Sequence, residues 1–217
     1  MYSELCHELA RRLGATRVLV AACAVDDAVN ALVLSEDATP VAPLGGEPVS
    51  CLDVKALGRE ARAAGKLLVV DNSLPTWAGC AAVRLGAHVS VEPLGESATL
   101  IGISKDARLT LPDLPVIDDE LSASLLAELP AHEHAWHSAS DTAQVVATYL
   151  VCHPRVAEVR YPGLKQDASF VVATRTLTGG FGPLVDYRLH GDDAWHCLCL
   201  SPDTDPRDEV MRLENSL

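Results

Sequence analysis

The most constraining stretch of the chain is residues 65–100, GKLLVVDNSLPTWAGCAAVRLGAHVSVEPLGESATL. Residues 66–70 form a short apolar run rich in Leu and Val that empties into Asp71, Asn72 and Ser73, residue types that favour turns and side-chain hydrogen bonds. This pattern predicts a buried strand delivering a carboxylate at its C-terminal end. In open α/β sheets, that end is where ligands bind. Residues 79–86 predict a short helix closed by a glycine, and residues 88–91 predict the following strand.

The flanking segments supply the rest of such a sheet. Residues 3–13 predict a helix with Ser3 as N-cap and Gly14 as terminator, and residues 16–20 a strand. A second helix is expected at 26–33, capped by Asp26 or Asp27, and a strand at 39–44 running into the turn Gly45-Gly46-Glu47-Pro48. Residues 53–64 predict a helix with Val54, Leu57 and Ala61 on one face, ended by Gly65. Alternation of strands and helices at these lengths predicts an α/β fold: right-handed crossovers and a mainly parallel sheet with helices on both faces.

Beyond Leu100 the pattern changes. Residues 101–111 read as strand material, and Pro112, Asp113, Leu114 and Pro115 as a connector. A helix is expected at 121–129, a break at Pro130, and a long helix at 132–152. Strands at 156–160, 182–188 and 197–200 and a final helix at 205–215 make a small C-terminal α/β domain. We therefore expect a large domain over 1–130 and a small one over 131–217.

Four segments in order resemble the pyridoxal-phosphate enzymes of cysteine and methionine metabolism, such as the cystathionine gamma-synthases and lyases. LLVVDNSLPTW, RLGAHVSV and EPLGESATL are similar to the family's LLVVDNTFATP, its helix ending in LGAD, and its SATK. VCHPRVAEVRYPGL at 151–164, LTGGFGPLVDYRL at 177–189 and CLSPDTDPRDEVMRLENSL at 199–217 are similar to HPKVxxVxYPGL, SGGFGGMLSFEL and RLSVGIEDxxDLIxDLxxAL. The resemblance implies the fold type I transferase architecture, a trans-sulfuration activity and pyridoxal phosphate as cofactor. Set against the family, the chain begins where the large domain is already under way, upstream of which the phosphate loop and a ring-stacking aromatic residue are expected. Only HGDDAWH stands between Leu189 and Cys197, where the family has a longer segment.

A pyridoxal-phosphate site needs a lysine to hold the aldehyde, a carboxylate for the pyridine nitrogen, and hydroxyls and backbone N–H groups for the phosphate. The resemblance assigns Asp71 as that carboxylate, with Ser73, Ser97 and Thr99 as vestigial cofactor-binding residues. Counting without gaps from Asp71 puts Glu96 at the lysine position. Aligning Ser97-Ala98-Thr99 with SAT puts Leu100 there. Neither forms an imine, and Lys105 is the one nearby lysine that could serve instead. Asp71 has an equally good reading as a loop cap. The family's carboxylate-binding arginine corresponds to Cys199, and its SNPT asparagine falls near Gly46 or Glu47. Gly179-Gly180-Phe181-Gly182 reads as a structural strand entry, since no helix and lysine follow it.

The leading expectation is therefore a degenerate, non-catalytic homologue. The alternatives are an active lyase or transferase completed by an unusual lysine or a partner chain, and a structural or regulatory subunit of an active paralogue. A homodimer or a heteromeric subunit is expected, because family sites form between subunits.

The net charge of −13 argues against nucleic acid and anionic membrane surfaces as partners. A charged amphipathic N-terminus and the lack of a membrane-spanning apolar run point to the cytoplasm. Seven cysteines, an odd number scattered through apolar segments, predict reduced and mostly buried thiols. No metal is expected. In AHEHAWH only His134 and His137 share a helix face, and in HCLC the His196 side chain faces away from Cys197 and Cys199.

Overall fold

The structure, a computed structural model, describes residues 1–35, 38–111 and 113–217. Its elements in chain order are α1 (Tyr2–Leu13), β1 (Arg17–Ala21), α2 (Val25–Ser35), β2 (Ala38–Val41), β3 (Leu44–Gly45), β4 (Ser50–Cys51), α3 (Val54–Ala64), β5 (Leu67–Asp71), α4 (Thr76–Gly79), α5 (Ala82–Leu85), β6 (Val89–Leu94), β7 (Ala98–Ile103), α6 (Asp119–Cys152), β8 (Val156–Arg160), α7 (Phe170–Thr176), β9 (Leu184–Leu189), β10 (His196–Cys199) and α8 (Pro206–Ser216). The chain divides into two compact units, Met1–Pro43 with Asp53–Pro130, and Leu44–Leu52 with Ala131–Leu217. The excursion Leu44–Leu52 thus goes with the later unit, which reading the chain linearly did not anticipate.

The first unit is built on a five-stranded sheet of order β1-β7-β6-β5-β2. The pairs β2–β5 and β5–β6 are parallel, and β7 is antiparallel to both β6 and β1. Four strands therefore run one way and β7 alone runs back, because it enters by a tight hairpin from β6 rather than through a helical crossover.

Helices cover both faces. On one, α1 presents Leu5, Leu9 and Leu13, spaced by four and fully buried, against Val20, Leu94, Leu100, and Leu125 and Leu129 of α6. Each of these leucines contributes about 1.5–3 kcal/mol of burial. On the other face, Ala28 and Leu32 of α2 pack on Val69, Val89, Val91, Ile101 and Ile103. α3 is set by its ends: the Asp53 side chain caps the Ala56 N–H at 2.8 Å, and Gly65 closes it in the left-handed region at φ 67.

The second unit holds the sheet β10-β9-β8 and the hairpin β3-β4. Its core joins Ala143, Val146 and Leu150 of α6 to Tyr161, Val185 and Leu213. Buried Asp186 of β9 accepts the Val49 N–H at 2.5 Å, and Ser169 Oγ accepts that of Cys51, so two polar anchors hold the Leu44–Leu52 excursion. The Gly179–Gly182 segment packs closely against α6. A Cβ at Gly180 would lie 2.3 Å from the Ser140 side chain, and the Gly182 N–H donates to Ser140 Oγ at 3.0 Å.

Several expectations need correction. Pro130 does not break a helix: α6 runs unbroken from Asp119 to Cys152 with the proline inside it. Interior proline costs about 3 kcal/mol. Burial of Leu125 and Leu129 before it, and of Trp136 and Ala139 after it, offsets that cost. The single helix expected at 79–86 is two one-turn helices, α4 and α5, separated by Cys80 and Ala81. α7 was not anticipated. Nor are the thiols mostly buried: Cys51 and Cys80 are, but Cys152, Cys197 and Cys199 are exposed. Pro112 of the expected connector lies outside the described residues.

Candidate functional site

The edge where β5 and β6 end collects most of the residues singled out from sequence. Asp71 closes β5, paired with Val91, which pairs in turn with Ile101. β6 continues three residues further, turns over Gly95-Glu96-Ser97, and returns as β7 from Ala98. Because side chains alternate along a strand, Asp71 and Thr99 lie on the face covered by α2, with Val69, Val91 and Ile101. Glu92 and Leu100 lie on the other face.

Asp71 is half-buried, and its Oδ1 accepts hydrogen bonds from Ser73 Oγ at 2.5 Å and from the Ser73 N–H at 3.1 Å. This is the self-bonded Asx turn that a polar tripeptide after a strand favours. Thr99 is fully buried, and its hydroxyl donates to the Cys23 carbonyl at 2.7 Å, tying β7 to the connection between β1 and α2. Burial pushes the Cys23 thiol above its ordinary range. Ser97 and Glu96 are exposed in the hairpin turn. Leu100 has no exposed surface and belongs to the α1-side core.

Lys105 is not with these residues. It follows β7 by two positions, where Ile103 pairs with Val89, and so stands at the edge where β5 and β6 begin. From the Asp71 row that is four strand residues back, roughly 13 Å along the sheet.

A polar network that sequence reading missed lies on the α1-side face of the same edge. Glu92 has no exposed surface, and burial pushes its carboxyl up to about 8. Ser90 Oγ donates to it at 3.2 Å, Asn72 Nδ2 at 3.3 Å, and the Trp77 N–H supplies a third bond. Asn72 also donates to the Cys80 carbonyl at 2.9 Å, and its carbonyl accepts the Thr76 N–H at 2.8 Å. Thr76 itself has φ 49, an uncommon conformation for a β-branched residue, held by this clamp. The signal available in the sequence was a glutamate placed inside an apolar strand, VSVEPL, which burial allows only if it is hydrogen-bonded or neutral.

Among the described residues, no group of three or more His, Cys, Asp or Glu side chains is placed to hold a metal ion. His196 lies 3.4 Å from Asp192 and stacks on Tyr187. Cys197 pairs with Asp186 across β9 and β10, and partial desolvation of its exposed thiol together with that carboxylate pushes it up to about 12.

Comparison with known proteins agrees with this topology. The chain is 24% identical over 155 residues to the chloroplastic cystathionine gamma-synthase 1 of Arabidopsis thaliana, a match covering 65% of this chain and 27% of that relative. A methionine gamma lyase from Micromonospora echinospora superposes with a TM-score of 0.81 at 17% identity, over 99% of this chain and 85% of that one. In sequence this chain is similar to a cystathionine gamma-synthase, and it shares its fold with a methionine gamma lyase. A Campylobacter jejuni protein assigned as an O-acetylhomoserine (thiol)-lyase, whose structure holds a pyridoxyl-lysine phosphate, superposes equally well, with a TM-score of 0.82 at 13% identity over 99% of this chain and 85% of that one. No family model matches the sequence. No described helix is long and apolar enough to cross a membrane.

Proposed function

We propose that the chain is a degenerate homologue of these enzymes that keeps their architecture without their covalent chemistry. One observation carries the reading: neither residue that aligns with the Schiff-base lysine is a lysine, and Lys105 stands at the other end of the sheet. A pyridoxal-phosphate site would also find Asp71 bonded to Ser73 and Thr99 bonded to Cys23. At the start of α2, a helix end that otherwise attracts phosphate, Asp26 and Asp27 already supply negative charge. The residues present do not fit a covalently held cofactor. Loose binding through Asp71, Ser73, Ser97 and Thr99, reversible on dialysis, is the most they support.

The test is to mix purified protein with pyridoxal phosphate, reduce with borohydride and map modified lysines by mass spectrometry. Scattered, substoichiometric labelling is expected. Stoichiometric labelling of one lysine, lost together with turnover when it is replaced, would overturn the proposal in favour of an active lyase or transferase.

The chain is further proposed to work as a homodimer or as a subunit beside a related chain. The resemblance supports this, as do apolar side chains left exposed on the second unit's helices, Val145 and Val151 on α6 and Val171 on α7. Light scattering is expected to give at least a dimer, and a monomer at high concentration with no co-purifying partner counts against it.

A further inference from the structure

The opposite edge of the first unit's sheet, where β5 and β6 begin, carries an open cavity of about 400 Å³ lined by Arg62, Lys66, His88, Asp106 and Arg108 together with Gly65 and Leu67. Four of these side chains are nitrogen donors, in a protein whose net charge is −13. They arrive there for separate reasons. Arg62 ends α3 and is pinned by Nη1, which donates to the carbonyls of Gly58 at 3.0 Å and Gly86 at 2.8 Å. Lys66 precedes β5, His88 precedes β6, and Arg108 follows β7, so three adjacent strands each deliver a basic residue to one edge.

His88 is the informative member. It is only 4% exposed, and its Nδ1 accepts the Leu68 N–H at 2.9 Å. An acceptor nitrogen carries no proton, so the neutral ring holds its proton on Nε2. That N–H has no protein partner among the described residues, and the ring lines the cavity. The backbone on either side is fixed too, since the His88 N–H donates to Leu68 O at 3.0 Å and its carbonyl accepts the Ser104 N–H at 2.9 Å. Burial and the nearby Arg62 charge hold the imidazole below its ordinary range, with Asp106 opposing, so it stays a neutral donor. In the sequence, His88 stands where the resembling family's LGAD motif has aspartate.

We propose that this cleft binds a small oxyanion, a phosphate or a carboxylate group, using the buried His88 Nε2–H for direction and Arg108, Lys66 and Arg62 for charge. Asp106, whose carboxylate lies 3.8 Å from Arg62, is the one acid among the described residues of the lining and works against anion affinity. The inference is independent of whether the Asp71 edge takes a cofactor, because the two lie at opposite ends of the strands.

The experiment is calorimetric titration of the full chain at low ionic strength with inorganic phosphate and, separately, with malonate. Chemical shifts of the His88 ring nitrogens are followed in parallel. Saturable binding of at least one probe is expected, with a shift at Nε2. Phosphate alone points to a phosphate-bearing ligand, malonate alone to a carboxylate, and both to a general oxyanion site. Arg108 is exposed, so Arg108→Gln leaves the fold intact, and it should weaken binding about 10-fold or more, the loss of one charge-assisted hydrogen bond. His88→Asp, which restores the family's residue, should abolish it. No saturable binding of either probe, or binding unchanged in Arg108→Gln with no shift at His88, overturns the proposal.

Discussion

The two ends of the five-stranded sheet use polar residues in opposite ways. At the end where β5 and β6 finish, the polar groups are spent on one another: Asp71 on Ser73, Thr99 on Cys23, Glu92 on Asn72, Ser90 and Trp77. At the end where they begin, His88 keeps a neutral donor facing a cavity also lined by the cations Arg62, Lys66 and Arg108. In an open α/β sheet the first end is the usual place for a ligand, because loops and helix N-termini converge there. In this chain Asp71, Thr99 and Glu92 at that end are held by internal hydrogen bonds. Similarity of fold therefore says where a ligand would be expected, and only the hydrogen-bond accounting says whether donors remain for one.

Four tests probe that contrast. The largest effect is expected from Leu100→Lys, which puts an amine at one of the two positions that align with the resembling family's lysine. It places an ammonium at a fully buried strand position against the α1 leucines and should cost about 3–5 kcal/mol in urea unfolding, whereas Glu96→Lys, at the exposed hairpin tip, should stay within about 0.5 kcal/mol. If both are tolerated equally, Leu100 is not the core residue described.

Next is the pH dependence set by Glu92. Its folded carboxyl is raised from 4.5 to about 8, so the folded state holds a proton that the unfolded state releases in between. The stabilisation is full below about 4.5 and is lost as pH rises towards about 8, at up to about 1.4 kcal/mol per pH unit. Glu92→Gln should flatten that slope and leave the protein relatively more stable at pH 8. An unchanged slope in the variant would assign the dependence elsewhere.

A smaller change is expected of Ser73→Ala, which removes the hydroxyl bonded to Asp71 and should cost about 0.5–1.5 kcal/mol. If stability instead stays level and pyridoxal phosphate binds more tightly, Asp71 is a ligand group restrained by Ser73 rather than a cap. The smallest effect is that of Arg108→Gln, within about 0.5 kcal/mol in stability because the side chain is exposed. Its signature is a lost thermal shift on adding phosphate or malonate, with the melting point in plain buffer unmoved.

Much of the fold was legible in the sequence because periodicity and caps are local. The α1 helix with its Gly14 terminator, the α3 helix with its Gly65 terminator, the strand ending at Asp71 and the short strand at Val156–Arg160 all read directly. α4 and α5 were read as one helix because the Asn72 bond to the Cys80 carbonyl, which shapes their junction, spans eight residues of chain and leaves no local pattern. The same limit applied at the site. The strand end at Asp71 and the two alignments of the lysine position came from order along the chain. That Glu96 is a hairpin tip, Leu100 core and Lys105 on the far edge came from the register of β6 with β7.

By itself, the sequence determined that this chain alternates strands and helices and ends a buried strand in a carboxylate. These follow from residue identity and spacing, which need no partner to be read. The tertiary structure decided which polar groups are already bonded, why Pro130 sits inside one continuous helix, why the Leu44–Leu52 segment joins the second unit, and that His88, Lys66 and Arg108 share an edge. Each of those depends on contacts between residues far apart in the chain, where burial and hydrogen bonding across elements outweigh local preference.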